Sequence, residues 1–463
     1  MSSHISADTV RASFGIGKKL GMGALGLALV TSLAACSPPG RSGDAAGGVS
    51  HTTITAPVTA EEVAELGDIT LNVWADQGEE DTLTLLKPLY ESEFPNVELK
   101  IQYKSYEDLV QTVVNAMNSD SAPDVTQGNQ GYSTDGTLVK AGLIRPLDDV
   151  AEVYGYADAV GDAISQLQWS DDGQVFGSGT TYGMSPDNQM VGVFYNKTIL
   201  SNLGITPPST LSDFEAALAT IKASGEQPIT FGNADKTTAM QAFSIVQGAL
   251  TPASDTVAWI TGQDGADFNV STNAAALDTW TTWVNEGYLS PGYDGTSPDD
   301  AAAAFADGTG AFYIGGNWHA GTISDSEEFG FIAAPAGESG TTASSASFGM
   351  PWHIGSKTKN ELAAIAFVAM INSADFAQNL ADVNRVPVQT ENVTAPTPMF
   401  SDLVAASDEL LSNNGSLYWY DWATDTMYDT FTSGLQEVMA GRTTSADFLA
   451  NVQDNWTTFQ DKR

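Results

Sequence analysis

The chain has 463 residues, 42% of them hydrophobic and 16% charged, which suits a folded body of two lobes better than a single core or a disordered chain. Its 57 acidic and 18 basic residues leave a net charge of −39, which excludes the basic stripe that nucleic-acid binding needs and disfavours phosphate-rich partners. Cys36 is the only cysteine, so neither an intrachain disulfide nor a cysteine metal cluster can form.

Residues 1–35 have the order of a secretory signal: Arg11, Lys18 and Lys19, an apolar stretch at 20–32, then Leu33-Ala34-Ala35. The stretch is too short and glycine-rich for a spanning helix. Residues 36–67 are expected to be a flexible linker, with small and polar residues through 37–59 and a turn of helix at 61–66.

From residue 69 the pattern alternates. A strand at 69–74 precedes a helix at 79–90 with Leu83, Leu86 and Tyr90 on one face. Val97, Leu99, Ile101 and Tyr103 mark a second strand, 106–118 a second helix, and Pro123-Asp124-Val125 opens a third strand. This order predicts a parallel sheet covered by helices. Ligands of such sheets sit beyond the carboxyl ends of the strands, where Asp76, Gln77 and Glu79 lie in one place and Gln127, Asn129 and Gln130 in another.

Residues 182–208 combine a polar loop, 185–189, with an apolar run at 190–195 that has the length of a buried strand. Asn196-Lys197 turns the chain, a short helix follows at 198–203, and Gly204 stops it. The loop has no packing reason to carry so many hydrogen-bonding side chains, so we read it as a crossing between lobes with side chains facing a cleft. A helix at 211–223 has capping-box spacing between Ser212 and Glu215. A strand at 228–232, helices at 240–250, 274–285 and 301–306, and a strand at 308–314 follow. That strand runs into Gly315-Gly316-Asn317-Trp318-His319. A second crossing is expected at 347–354, and helices at 361–371, 435–440 and 445–460 complete the chain.

Five pieces stand in a recognisable order: APDV at 122–125, LVKAGLIRPLDD at 138–149, YGMS with VFYNKTILSNLGITPPSTLSDF within 182–214, FADGTGAFYIGGNW at 305–318 and SKTKNELAAIAFVAMINS at 356–373. Behind LAAC at 33–36, this order resembles family 1 of the bacterial extracellular solute-binding proteins, the maltose-binding-like receptors of ABC importers. The resemblance covers 68–459. It implies an α/β, type II periplasmic-binding-protein fold, with two lobes joined by hinge crossings and a ligand cleft between them. Lobe 1 would take 68–184, lobe 2 would take 185–318, the chain would return to lobe 1 within 319–385 after a hinge near 347–351, and the helices of 386–463 would lie mainly on lobe 2.

The resemblance also implies an oligosaccharide or other carbohydrate ligand, an ABC permease as partner, a monomer, and no cofactor or catalysis. The LAAC motif resembles a lipobox, which implies acylation of Cys36 and a tether to the outer face of the membrane. A non-sugar solute (glycerol phosphate, polyamine or metal ion) is the alternative ligand class. An anchored glycoside hydrolase is the alternative activity, and it would need two carboxylates facing each other across a cleft.

A sugar presents apolar C–H faces and a ring of hydroxyls, so its site needs aromatic platforms beside amides and carboxylates. Trp318 matches the family's stacking tryptophan, with two glycines before it that let the chain turn; the structural alternative is a core tryptophan. Asp187, Asn188 and Gln189 either bind ligand or shape the turn after Pro186. Asp76, Gln77 and Glu79 either bind or cap the helix they precede. Gln127, Asn129 and Gln130 stand where the family often has an aromatic residue. They offer hydrogen bonds without a stacking face. Trp419, Trp422 and Tyr428 compete for a second stacking role, and Trp352 and His353 follow the second crossing. Arg385 either reaches the cleft or pairs with a surface acid. The sequence carries no metal-ligand cluster.

Overall fold

The computed structural model describes residues 51–463 except 326, 338, 339 and 391. The expected signal, Cys36 and residues 36–50 of the expected linker lie outside the described residues. In chain order the strands are β1 (Ile69–Asp76), β2 (Val97–Lys104), β3 (Val125–Gln127), β4 (Gln168–Trp169), β5 (Thr180–Thr181), β6 (Asp187–Asn196), β7 (Ile229–Thr230), β8 (Phe312–Gly316), β9 (Phe329–Ile332), β10 (Ser344–Phe348), β11 (Trp352–Ile354), β12 (Val386–Pro387) and β13 (Ser416–Leu417).

The first sheet has the order β11-β3-β1-β2, with β1 parallel to β2 and β3 and with β11 antiparallel to β3. Its helices, Glu80–Glu93 and Tyr106–Asn118, bury the faces expected from spacing: Leu83, Leu86 and Tyr90 on one, Leu109, Val113 and Met117 on the other. Ser105 caps the second of these by accepting from the amide of Asp108. The helix Glu361–Ile371 returns to this lobe, and the Tyr90 hydroxyl donates to the carbonyl of Ala363 within its core.

The second sheet runs β13-β10-β6-β8-β7, with β9 and β12 also on β6. The long strand β6 is antiparallel to β8, β9, β10 and β12. Its helical layer, Thr237–Leu250, Ser271–Asn285, Met427–Met439 and Ser445–Gln460, shares a core with Trp259, Trp280 and Trp283. The chain passes between the sheets before Asp187, through 349–351, and again into β12. These three passages are laced together: Gly349 donates to the carbonyl of Asp187, Val388 to that of Pro186, and Trp352 to that of Met184.

Three expectations change. The linker ends earlier than 67, because Ile54 is buried in the first core and the amides of Thr52, Ile54 and Val58 donate to Glu361, Asp149 and the Tyr154 hydroxyl. Arg145 bridges two of those acceptors, Asp149 at 2.8 Å and Glu361 at 3.0 Å. Residues 187–189 are not a loop but the first three of β6, paired on both sides, since Asn188 faces Phe348 of β10 and Val386 of β12. The helix Leu211–Ser224 begins where expected, but its cap is Thr210, which accepts from the amide of Asp213, two residues before the Ser212 that the capping-box spacing pointed to. Among the described residues no helix is long and apolar enough to cross a membrane.

Candidate functional site

A cavity of about 310 Å³ opens between the carboxyl end of β1 and the second lobe, where Gln189 of β6 and Phe348 of β10 line it. That volume lies at the lower end of the range of small-molecule sites. Asp76 ends β1 and caps the following turn, its Oδ1 accepting from Gly78 at 2.8 Å, while its own amide donates to Gln127 Oε1 at 2.8 Å. Burial pushes its carboxyl up to about 6, helped by the neighbouring Glu79 and by Asp299 across the cavity.

Opposite, Asp235, Thr237 and Thr238 stand at the amino end of the helix Thr237–Leu250, and Ser297, Pro298 and Asp299 open the helix Pro298–Ala306. Burial raises the Asp235 carboxyl, and Glu107 on the other lobe adds to the shift. Asp299 is held low by its hydrogen bond to His319 Nε2 at 3.3 Å, and His319 Nδ1 meets the Tyr313 hydroxyl at 3.0 Å.

Two half-buried indoles form an apolar wall. Trp318 and Trp419 lie with ring centroids 5.9 Å apart and planes at 51°. Trp419 Nε1 donates to Ser347 Oγ at 2.6 Å, which fixes its plane. Gly316 matters through space rather than through a turn: a Cβ there would lie 2.1 Å from the Trp318 ring. Gly316 thus lets the indole fold back over the end of β8. Tyr106 lines the same cavity, with Tyr428 behind it at 6.4 Å between centroids.

At the back of the cavity Arg385 joins the crossings to the first lobe. Its Nη1 lies 3.1 Å from Glu79 and 3.0 Å from Asp187, and its Nη2 donates to the carbonyl of Gly78. All three side chains are less than a tenth exposed. Burial raises the Asp187 carboxyl to about 6 against the opposing pull of Arg385. Arg385 thus reaches the cleft and pairs with buried acids rather than a surface one.

The cavity therefore collects Asp76, Gln77, Glu79, Asn129, Gln130, Gln189, Trp318, Arg385 and Trp419 from the residues singled out in the sequence. Others do not reach its wall. Asn188 alternates to the other side of β6 from Gln189, as strand geometry requires. Asp187 lies behind Arg385, and Gln127 is spent on Asp76 and the carbonyl of Met350. Trp352 is fully buried, edge-on to Phe367. His353 is buried between Asp135 Oδ1 at 3.1 Å and the carbonyl of Tyr182 at 2.8 Å; burial lowers its pKa, but Asp135 more than compensates and the net shift is upward. Trp422 packs on Phe176 and Tyr418 in the core, donating to Asn129 Oδ1 at 3.3 Å.

Sequence reasoning missed Tyr106, Asp235, Thr237, Thr238, Ser297, Asp299 and His319. The available signal was their position at helix starts and next to Trp318. Asp421 also borders the cavity, from within the aromatic run Tyr418-Trp419-Tyr420-Asp421-Trp422. It is 2% exposed, accepts from Asn129 Nδ2 at 2.8 Å, and burial pushes it up to about 6.

A family model described as bacterial extracellular solute-binding protein matches residues 89–407. An uncharacterised ABC transporter extracellular-binding protein of Pyrococcus horikoshii is 25% identical over 302 residues, 63% of this chain and 65% of its own. The multiple sugar-binding protein of Streptococcus mutans is 24% identical over 213 residues, 44% of this chain and 50% of its own. The chain thus spans less than two thirds of either relative. A chitin oligosaccharide binding protein of known structure superposes with a TM-score of 0.73 at 19% identity, covering 85% of this chain and 99% of that one, which shows a common fold. The match over most of the chain and the two sheets joined by three crossings lead to one conclusion: the chain belongs to the bacterial extracellular solute-binding protein family.

Proposed function

We propose that the protein is an extracytoplasmic receptor that binds a carbohydrate, an oligosaccharide in particular, between its two lobes and delivers it to an ABC-type permease without altering it. The observation that carries this reading is the composition of one cavity. Two angled indoles supply faces for the C–H surfaces of a sugar ring, and Gln77, Asn129, Gln130 and Gln189 stand beside carboxylates able to accept from hydroxyls. The three adjacent crossings are where the lobes would hinge. We read the protein as a monomer, acylated at Cys36 and held by that lipid on the outer face of the membrane.

Ligand binding stabilises a folded protein by mass action, about 2.7 kcal/mol at a hundredfold excess over the dissociation constant. A thermal-shift screen of mono- and oligosaccharides should therefore raise the melting temperature for at least one sugar. If none does so while a phosphate ester or metal ion does, the saccharide reading fails. Steady turnover of a glycan by the pure protein would instead favour a hydrolase.

A further inference from the structure

The cavity is lined by Asp76, Glu79, Glu107, Asp235, Asp299 and Asp421, but by only two basic side chains, Arg385 and His319. Arg385 is already committed to Glu79, Asp187 and the Gly78 carbonyl, and His319 to Asp299. Among the described residues no cation lies within ion-pair distance of Asp76, Glu107, Asp235 or Asp421, and only Asp76 feels one from further off, the shared Arg385. These acids come from both lobes, so their repulsion acts across the cleft: Asp299 works on Asp76, and Glu107 works on Asp235. Asp421 is the most enclosed of the six: a carboxylate only 2% exposed borders the cavity with an amide and a phenol as partners but no counter-charge. A buried charge left in that state is costly unless something neutralises it.

Resting on the saccharide reading above, we propose that the solute is a saccharide that carries a protonated amine. An ammonium group would relieve the repulsion between lobes only when it is bound between them, so the same charge that holds the ligand would also favour closure. Trp318, Trp419 and Tyr106 line the same space, and aromatic rings attract a cation through their quadrupoles. A metal ion does not fit, because among the described residues no group of three acids or histidines converges as a metal site. A plain polyamine offers no hydroxyls to the Gln77 and Gln189 side chains that line the cavity.

Calorimetric titration of the protein at about pH 7, where a primary amine is still largely protonated, tests this with matched mono- to tetrasaccharides. Each is supplied in free-amine, N-acetylated and neutral forms, in α and β linkage. The free-amine form should bind at least about tenfold tighter than its two counterparts, a modest return for one desolvated charge pair. That preference should shrink at about 0.5 M salt and in the separate variants Asp421→Asn and Asp235→Asn. Equal or tighter binding of the neutral or acetylated form overturns the amine proposal and leaves the saccharide receptor standing. Preference for spermidine over every sugar, or binding of no sugar at all, overturns both.

Discussion

Replacing Arg385 with methionine keeps the aliphatic stem and removes the guanidinium that ties the crossings to the first lobe. Glu79 and Asp187 would then be buried carboxylates without a counter-charge, and the Gly78 carbonyl would lose its donor. Breaking a buried pair from one side costs about 3–5 kcal/mol, and we expect about 4 kcal/mol at pH 7 because two acids are orphaned together. The cost should depend on pH with a definite sign. Burial already lifts Asp187 from 3.8 to about 6 with the arginine present. An acid whose folded pKa exceeds its unfolded value binds more protons when folded, so stability falls as pH rises through that interval. Arg385→Met should therefore lose least below about pH 4 and most above about pH 6. Urea unfolding followed by tryptophan fluorescence at both pH values measures this, and Glu79→Gln with Asp187→Asn in the same background should recover at least half the loss. A cost below about 1 kcal/mol at pH 7, the value of an exposed pair, would refute the reasoning, as would failure of the two neutral replacements to restore stability.

Asp421 should behave as an isolated case of the same linkage. Its rise from 3.8 to about 6 means that stability declines across that interval, by at most about 3 kcal/mol at 1.4 kcal/mol per unit. Asp421→Asn should thus look more favourable against the native protein at pH 7 than at pH 4, and an identical difference at both would count against it. Trp318→Ala and Trp419→Ala should each weaken saccharide binding by about 1–2 kcal/mol, measured by titration, through loss of a stacking face. Trp422→Ala, by contrast, should cost about 3–5 kcal/mol of stability in urea unfolding, because that ring is fully buried. Gly131→Ala should destabilise by more than about 1 kcal/mol, since φ is +97° and a Cβ would lie 2.4 Å from Trp422 Cα. A neutral result would mean that the contact is slack.

The fold was largely legible because its signals are local. Val97, Leu99, Ile101 and Tyr103 alternate, and the helix beginning at Tyr106 repeats its apolar residues every three or four positions, so β2 and that helix appear within a residue of their expected bounds. The beginning of β6 was not legible. Asp187, Asn188 and Gln189 have poor strand propensity, and their extended conformation is imposed by pairing with β10 and β12, which lie about 160 and 200 residues later in the chain. The helix Pro398–Ser412 went unread although Thr397-Pro398 is a sound start signal and Thr397 does cap it.

The site was legible by residue type but not by residue. Trp419 and Trp422 stand three positions apart in one aromatic run, and nothing local distinguishes them. The 3₁₀ turn Tyr420–Ala423 and two long-range hydrogen bonds do: Ser347 turns Trp419 toward Trp318 and the cavity, while Asn129 and Phe176 hold Trp422 in the core. Asn129 is the pivot of this division, because its amide donates to Asp421 as its carbonyl accepts from Trp422. One side chain from the first lobe therefore orients a carboxylate that borders the cavity and, on its other end, an indole that joins the lobes. Asn129→Leu would remove both contacts while leaving Trp419 and Trp318 alone, so it should weaken ligand binding and interlobe packing together. A variant that lost only one of these would show that Asn129 does not couple them.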